Sequence, residues 1–274
     1  MRFLFLVTLL FFRGEYTAAQ LVNSLQSPAY ATVTSPGSTA TMAPDISLNA
    51  ALPASFKNPS IVLCSERKYL LKELTHYNLT GILPTRLGKL GFQLNYAGFS
   101  NYRQTQISVA YARKLTDIVD AGLQFSYYGN RIPGYVSVSG VSSSVGIMLH
   151  FSGKLVWGLA VQNLVAVTMG KKAAQKPARS YTGALGYAAG EHFYLSLGAF
   201  KEEGNPLVVN AGMEYAFGRQ FFFRAGLETG SPGPFAGAGW QWGKFRTDIF
   251  VSYHQRLGLS PGILLAYSPS SGAK

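Results

Sequence analysis

Two residues in this sequence have the types and spacing for nucleophilic chemistry: His150 and Ser152, in the stretch LHFSGK. A separation of two puts both side chains on one face of a strand. There an imidazole could take the proton from the hydroxyl and leave it a nucleophile. No Asn, Asp or Glu is evident in the sequence to orient the ring, and Ser152-Gly153-Lys154 also reads as plain turn chemistry. There is no Cys/His spacing for a metal, no glycine-rich phosphate loop before a helix and no nucleophile elbow. Cys64 is the single cysteine, so no internal disulfide can form. It reads as a small buried hydrophobe. The expectation is a protein that is not an enzyme and carries no cofactor or metal.

Two other sets of residues could do electrostatic work. Glu214, Arg224, Glu228, Arg246, Asp248 and His254 all lie inside apolar alternating stretches. Lys171, Lys172, Lys176 and Arg179 crowd one connection, which could meet an anionic surface such as lipopolysaccharide, or an acidic secretion partner. A solvated loop without a specific ligand is the alternative. The remaining charges of this +12 chain are scattered, which argues against nucleic acid.

The elements that must position these groups are strands. In KFRTDIFVSYHQ (244–255), Phe245, Thr247, Ile249, Val251 and Tyr253 alternate with Lys244, Arg246, Asp248, Phe250, Ser252 and His254. Alternation of this length is the signature of a β-strand with two different faces. In a soluble sandwich the apolar face meets a core; in a membrane barrel it meets lipid and the polar face lines a lumen. Composition favours the barrel: 47% hydrophobic, 13% charged, 30 Gly, 18 Phe and 16 Tyr, with about half the charge usual for a soluble domain. An arginine facing lipid at mid-depth costs about 2–4 kcal/mol, so the six strand charges are expected to point into the lumen. Past the N-terminal segment no apolar run of about 18 residues suggests a membrane-crossing helix.

From residue 61 to 268 about fourteen strands can be placed. Tight connections (114–117, 152–154, 189–192, 218–220, 243–244) alternate with longer ones (98–105, 130–139, 167–180, 201–206, 230–234, 256–261). Outer-membrane barrels sort short periplasmic turns from longer extracellular loops in this way. An even strand number puts both termini in the periplasm. Aromatics expected at the interfacial girdles include Tyr69, Tyr96, Tyr127, Phe151, Phe193, Tyr215, Trp242 and Tyr253.

Residues 1–19 carry Arg2, the apolar run Phe3–Phe12 and a small-residue site at Thr17-Ala18-Ala19, the pattern of a signal peptide. Residues 20–60 are rich in Ala, Ser, Thr and Pro and read as a leader, either disordered or folded into the barrel as a plug. Residues 269–274 form a tail. The fold class expected is therefore all-β: a transmembrane antiparallel β-barrel of about fourteen strands with an N-terminal plug segment, in the outer membrane of a Gram-negative bacterium.

PDISLNAALPASFKNPS (44–60) resembles the N-terminal segment of FadL-like outer-membrane proteins, the superfamily of the long-chain fatty-acid transporter and the PorV-type proteins of type IX secretion. Their leader ends in Asn-Pro-Ala before the first strand; here it is Asn58-Pro59-Ser60. SYHQRLGLSPGILLAY (252–267) resembles the last hairpin of Bacteroidota members. The resemblance implies a plug at 44–60 and passive uptake of a small hydrophobic molecule through the lumen. It equally admits a non-transporting PorV-like scaffold for secretion. A third reading is a lipid hydrolase, because outer-membrane phospholipases and lipid A deacylases use a His-x-Ser pair.

Overall fold

The computed structural model describes residues 45–134, 136–169, 177–218, 220–229 and 233–269. The signal segment, the leader before Asp45, Lys171, Lys172, Lys176 and the last five residues lie outside the described residues.

Fourteen strands form one closed antiparallel sheet. They are β1 (Ser60–Arg67), β2 (Thr75–Pro84), β3 (Lys89–Phe99), β4 (Tyr102–Lys114), β5 (Val119–Ile132), β6 (Val136–His150) and β7 (Leu155–Met169). There follow β8 (Ser180–Ala188), β9 (Phe193–Glu202), β10 (Val208–Phe217), β11 (Phe221–Glu228), β12 (Phe235–Trp242), β13 (Phe245–His254) and β14 (Gly258–Tyr267). Each strand pairs with its sequence neighbours, and β1 closes the barrel on β14 with Ile61 opposite Tyr267. Closure gives every strand a partner on both sides, the condition for a sheet to survive in hydrocarbon.

Alternation decides which side each residue faces. On β13, Arg246, Asp248, Phe250 and Ser252 are buried, while Phe245, Ile249 and Tyr253 are exposed. Around the sheet the outward positions carry large apolar side chains, such as Phe125 and Ile249 at 61% exposure. Such a continuous apolar exterior far exceeds the patches tolerated on soluble monomers, and it identifies the lipid-facing side. Inward positions carry glutamine, asparagine, serine, threonine, glycine and a few charges, together with an apolar cluster of Val62, Cys64, Phe235, Phe250, Leu264 and Ala266.

The rim where β1 starts and β14 ends (the near rim) is closed by six connections of two to four residues. At the far rim the connections vary more. Two of them correct the sequence expectation. The stretches 98–105 and 130–139 are mostly strand: β3 runs to Phe99, β4 starts at Tyr102, β5 reaches Ile132 and β6 starts at Val136. Their outward positions, Gly98, Arg103, Thr105, Arg131, Ser137 and Ser139, are polar or small, so no apolar lipid face betrays the strands. The barrel is consequently uneven. Strands β4 to β7 span 13 to 15 residues, whereas β11 and β12 span 8 each.

Candidate functional site: a plugged lumen

Residues 45–53 enter the barrel and lie against its taller wall. Ile46, Leu48, Ala50, Ala51 and Leu52 are buried, and Leu52–Ser55 form one turn of 3-10 helix that Pro53 helps to start. Three polar grips hold the segment. The amide of Gln93 on β3 donates to Asp45 Oδ1 (2.6 Å) and its carbonyl accepts the Ser47 backbone N–H (3.0 Å). Asn49 Nδ2 donates to the carbonyls of Ile147 on β6 (3.2 Å) and Leu159 on β7 (3.4 Å), while its Oδ1 accepts from the Ala51 N–H (2.9 Å). Gln162 Nε2 on β7 donates to the Leu48 carbonyl (2.6 Å). Each satisfies a plug backbone or side-chain group that burial would otherwise leave unpaired, at a penalty of about 1–3 kcal/mol apiece.

The wall makes room by carrying almost no side chain. A Cβ on Gly122 would sit 2.0 Å from the Ala50 carbonyl oxygen, and one on Gly146 would sit 2.0 Å from Asn49 Oδ1. These two glycines face each other across β5 and β6, with Ala112 and Ala160 on either side. Met148 closes over Ala51 and Leu52. Burial pushes the Asp45 carboxyl above its usual range, against the hydrogen bonds from Ser47 and Gln93.

Beside the plug the wall has a break. The β7–β8 ladder ends at Gln162 opposite Ser180, although β7 runs on, paired with β6 after a register shift between Ser143 and Val145. Asn163 takes a left-handed conformation there (φ 54°). Side chains stand in for the missing ladder: Asn163 Nδ2 donates to the Ala178 carbonyl (2.8 Å) and Arg179 Nη2 to the Leu164 carbonyl (3.2 Å).

The opposite wall is filled by its own charges. Arg224 on β11 donates to Glu214 on β10 (2.9 Å) and reaches over β12 to Asp248 on β13 (2.7 Å). Gly237 and Gly239, inward on β12, clear its path. Arg246 grips the same Asp248 with Nε and Nη2 (2.7 and 3.0 Å) and lies 4.0 Å over the Phe222 ring. Two positive and two negative groups thus cancel within the lumen.

No family model and no curated protein matches the sequence. Solved structures do match its fold. The toluene transporter TbuX of Ralstonia pickettii superimposes with a TM-score of 0.63 at 10% identity, over 90% of this chain and 99% of that one. The toluene transporter TodX of Pseudomonas putida gives 0.61 at 10%, over 91% and 99%. A FadL homologue of Pseudomonas aeruginosa gives 0.57 at 12%, over 92% and 99%. This chain has the fold of the FadL-like outer-membrane barrels.

Within that FadL-like barrel, the residues expected to line the lumen divide into two groups. Glu214, Arg224, Arg246 and Asp248 meet in the network just described. Glu228 and His254 stand apart at the far rim. Glu228 is half-buried opposite Asn210. His254 Nδ1 accepts the N–H groups of Arg256 and Leu257 (3.0 and 3.1 Å), and its ring meets Tyr69 edge-on at 5.6 Å. The plug's hydrogen bonds to the wall run to β3, β6 and β7, away from the charged network. Of the motif Asn58-Pro59-Ser60, the first two are exposed and Ser60 opens β1. Sequence reasoning missed Gln93, Asn49, Gln162 and the glycines. The only signal for them was glycine and glutamine at inward positions of otherwise apolar strands.

His150 does have an orienting carboxylate: its Nε2 lies 2.8 Å from Asp120 Oδ2. Asp120 is thirty positions away in sequence and on the neighbouring strand, which is why spacing did not reveal it. Ser152 belongs to the turn, where its Oγ accepts the N–H groups of Lys154 (3.2 Å) and Leu155 (3.1 Å). The turn accounts for Ser152, and the contact with Asp120 accounts for His150, without a reaction.

Proposed function

We propose that this chain is an outer-membrane channel that admits a small hydrophobic molecule past a plug made from its own residues 45–59. The observation that carries the reading is the seat of that segment: an apolar stretch, Ile46 to Pro53, in a cradle of glycine and alanine inside a closed barrel. At Gly122 and Gly146 the cradle leaves room for apolar bulk, while Gln93 and Gln162 beside it hold the plug's polar groups. The apolar plug side chains stand where an apolar cargo would pass. The shared fold with two toluene transporters and a FadL homologue supports the same class of cargo.

Deletion of residues 45–57 tests the idea in planar bilayers and in toluene uptake by cells expressing the chain. The intact protein should pass little current and the deletion should conduct steadily. Toluene entry should require the barrel. A deletion that still refolds, with a heat-dependent gel shift, yet remains silent in both assays would end the channel reading.

A further inference from the structure

Arg103 and Arg131 stand directly opposite each other on β4 and β5, at the far rim of the taller wall. Both are exposed, and both lie on the outward face that lower down carries Ile107, Val109, Phe125 and Tyr127. Directly paired residues of an antiparallel ladder have Cβ atoms about 4.5–5.5 Å apart, and like charges there repel. A carboxylate would normally resolve that conflict. Here the sequence withholds one. Between Glu73 and Glu191 the only acidic residues are Asp117 and Asp120, and both belong to the near rim. The register neighbours of the pair are Gly98 on β3 and Ser137 on β6, and the next outward rung is Thr105 opposite Gly129. Among the described residues no ion pair involves either arginine.

The depth of the pair suggests what neutralises it. Tyr127, an outward tyrosine of the kind that sits at the headgroup level, is four residues below Arg131 on the same strand. Four residues rise about 13 Å along a strand, or about 10 Å in height at the tilt of a membrane barrel. The two guanidiniums therefore lie outside the hydrocarbon, on the headgroup side of Tyr127. Two forks of N–H donors side by side match the oxygens of a phosphate, which guanidinium binds in bidentate fashion.

We propose that Arg103 and Arg131 form a site for a phosphate of the lipid A headgroup in the outer leaflet. The proposal rests on the outer-membrane reading above, with the near rim in the periplasm. It differs from the expectation drawn from the basic connection before β8. There Arg179 is engaged by Glu203 (3.8 Å) and the Leu164 carbonyl.

The test is native mass spectrometry of the full chain in detergent, with bisphosphorylated lipid A, dephosphorylated lipid A and phosphatidylglycerol as separate probes. Bisphosphorylated lipid A should stay bound, and the double variant R103Q/R131Q should lower its occupancy at least tenfold. R113Q, outward on the same β4 at the other rim, should retain it. R103K/R131K should recover part of the binding, and every variant should keep the heat-dependent gel shift that reports a closed barrel. The proposal is overturned if R103Q/R131Q binds as the parent does, or if R113Q loses as much. Equal retention of dephosphorylated lipid A or of phosphatidylglycerol would also overturn it. Loss of lipid A in R103Q/R131Q beside a silent plug deletion would remove the channel reading and leave this site standing.

Discussion

The two walls of the lumen solve the same problem by opposite means. Where the plug lies, strands β3 to β7 carry mostly glycine, alanine, serine and amides inward, and they fill the space with another part of the chain. Strands β10 to β13 keep large and charged inward side chains, and these fill the space by pairing with one another. A wall filled by its own residues is fixed as soon as the barrel closes. A wall filled by a tethered segment can be emptied without breaking the barrel. Under the proposed channel function, the difference assigns stability mainly to the Arg224–Asp248 side and gating mainly to the Gly122–Gly146 side.

The sharpest way to break that division is to give the cradle side chains. In Gly122→Ala with Gly146→Ala, each new methyl meets the plug at 2.0 Å, and the atom met at Gly122 is backbone. Overpacking of this sort costs about 1–3 kcal/mol per site, charged to plug docking and not to the ladder. The double variant should conduct in planar bilayers almost as the plug deletion does, with an unchanged urea midpoint for the barrel. A midpoint that falls together with plugging would show that the two walls do not act separately.

Arg224→Ala should do the reverse. It takes the Arg224 Nε donor from Glu214, 4% exposed, and one of two arginines from Asp248. Breaking a buried pair from one side costs about 3–5 kcal/mol. The unfolding midpoint should fall clearly while the closed-state current stays low. Normal stability would mean that water replaces the guanidinium, and that the network is ornamental to the fold.

Much of this division was legible in the sequence. Alternation alone placed fourteen strands and turned Arg224, Arg246, Asp248 and Glu214 inward, because a charge has one tolerable side in lipid. Their partners were half-visible: Glu214 and Arg224 flank one turn, but the reach from Arg224 to Asp248 crosses a whole strand and depends on Gly237 and Gly239. The cradle was hidden for another reason. A glycine opposite a plug and a glycine in any strand look the same in sequence, and what distinguishes Gly122 is Ala50, seventy-two positions earlier. The far-rim ends of β5 and β6 were missed because strands that rise above the membrane lose the apolar face by which strands are recognised.

A finer probe acts on the plug's polar grips. Asn49→Ala removes two donated hydrogen bonds to the wall, at 3.2 and 3.4 Å, and one that shapes the plug turn. A net loss of about 1–2 kcal/mol should raise the open fraction roughly five- to thirtyfold, read as flicker in single-channel records. Barrel unfolding should not change. An unaltered record would place the plug's hold in its apolar contacts alone.

The smallest expected effect is a pH dependence confined to the plug. Buried Asp45 has its carboxyl raised above the ordinary 3.8 by loss of solvent. A raised carboxyl favours the docked state when protonated. The advantage is full below the ordinary value and is lost as pH rises through the higher, docked value. Acidification through that range should therefore quieten the flicker of Asn49→Ala, and Asp45→Asn should remove the dependence while keeping an amide to meet Gln93. The charged wall sets the control. None of its charged groups takes part in the plug's hydrogen bonds, so a pH response that survives Asp45→Asn would arise away from the plug's own carboxylate and would join the two walls that the glycine variants are meant to separate.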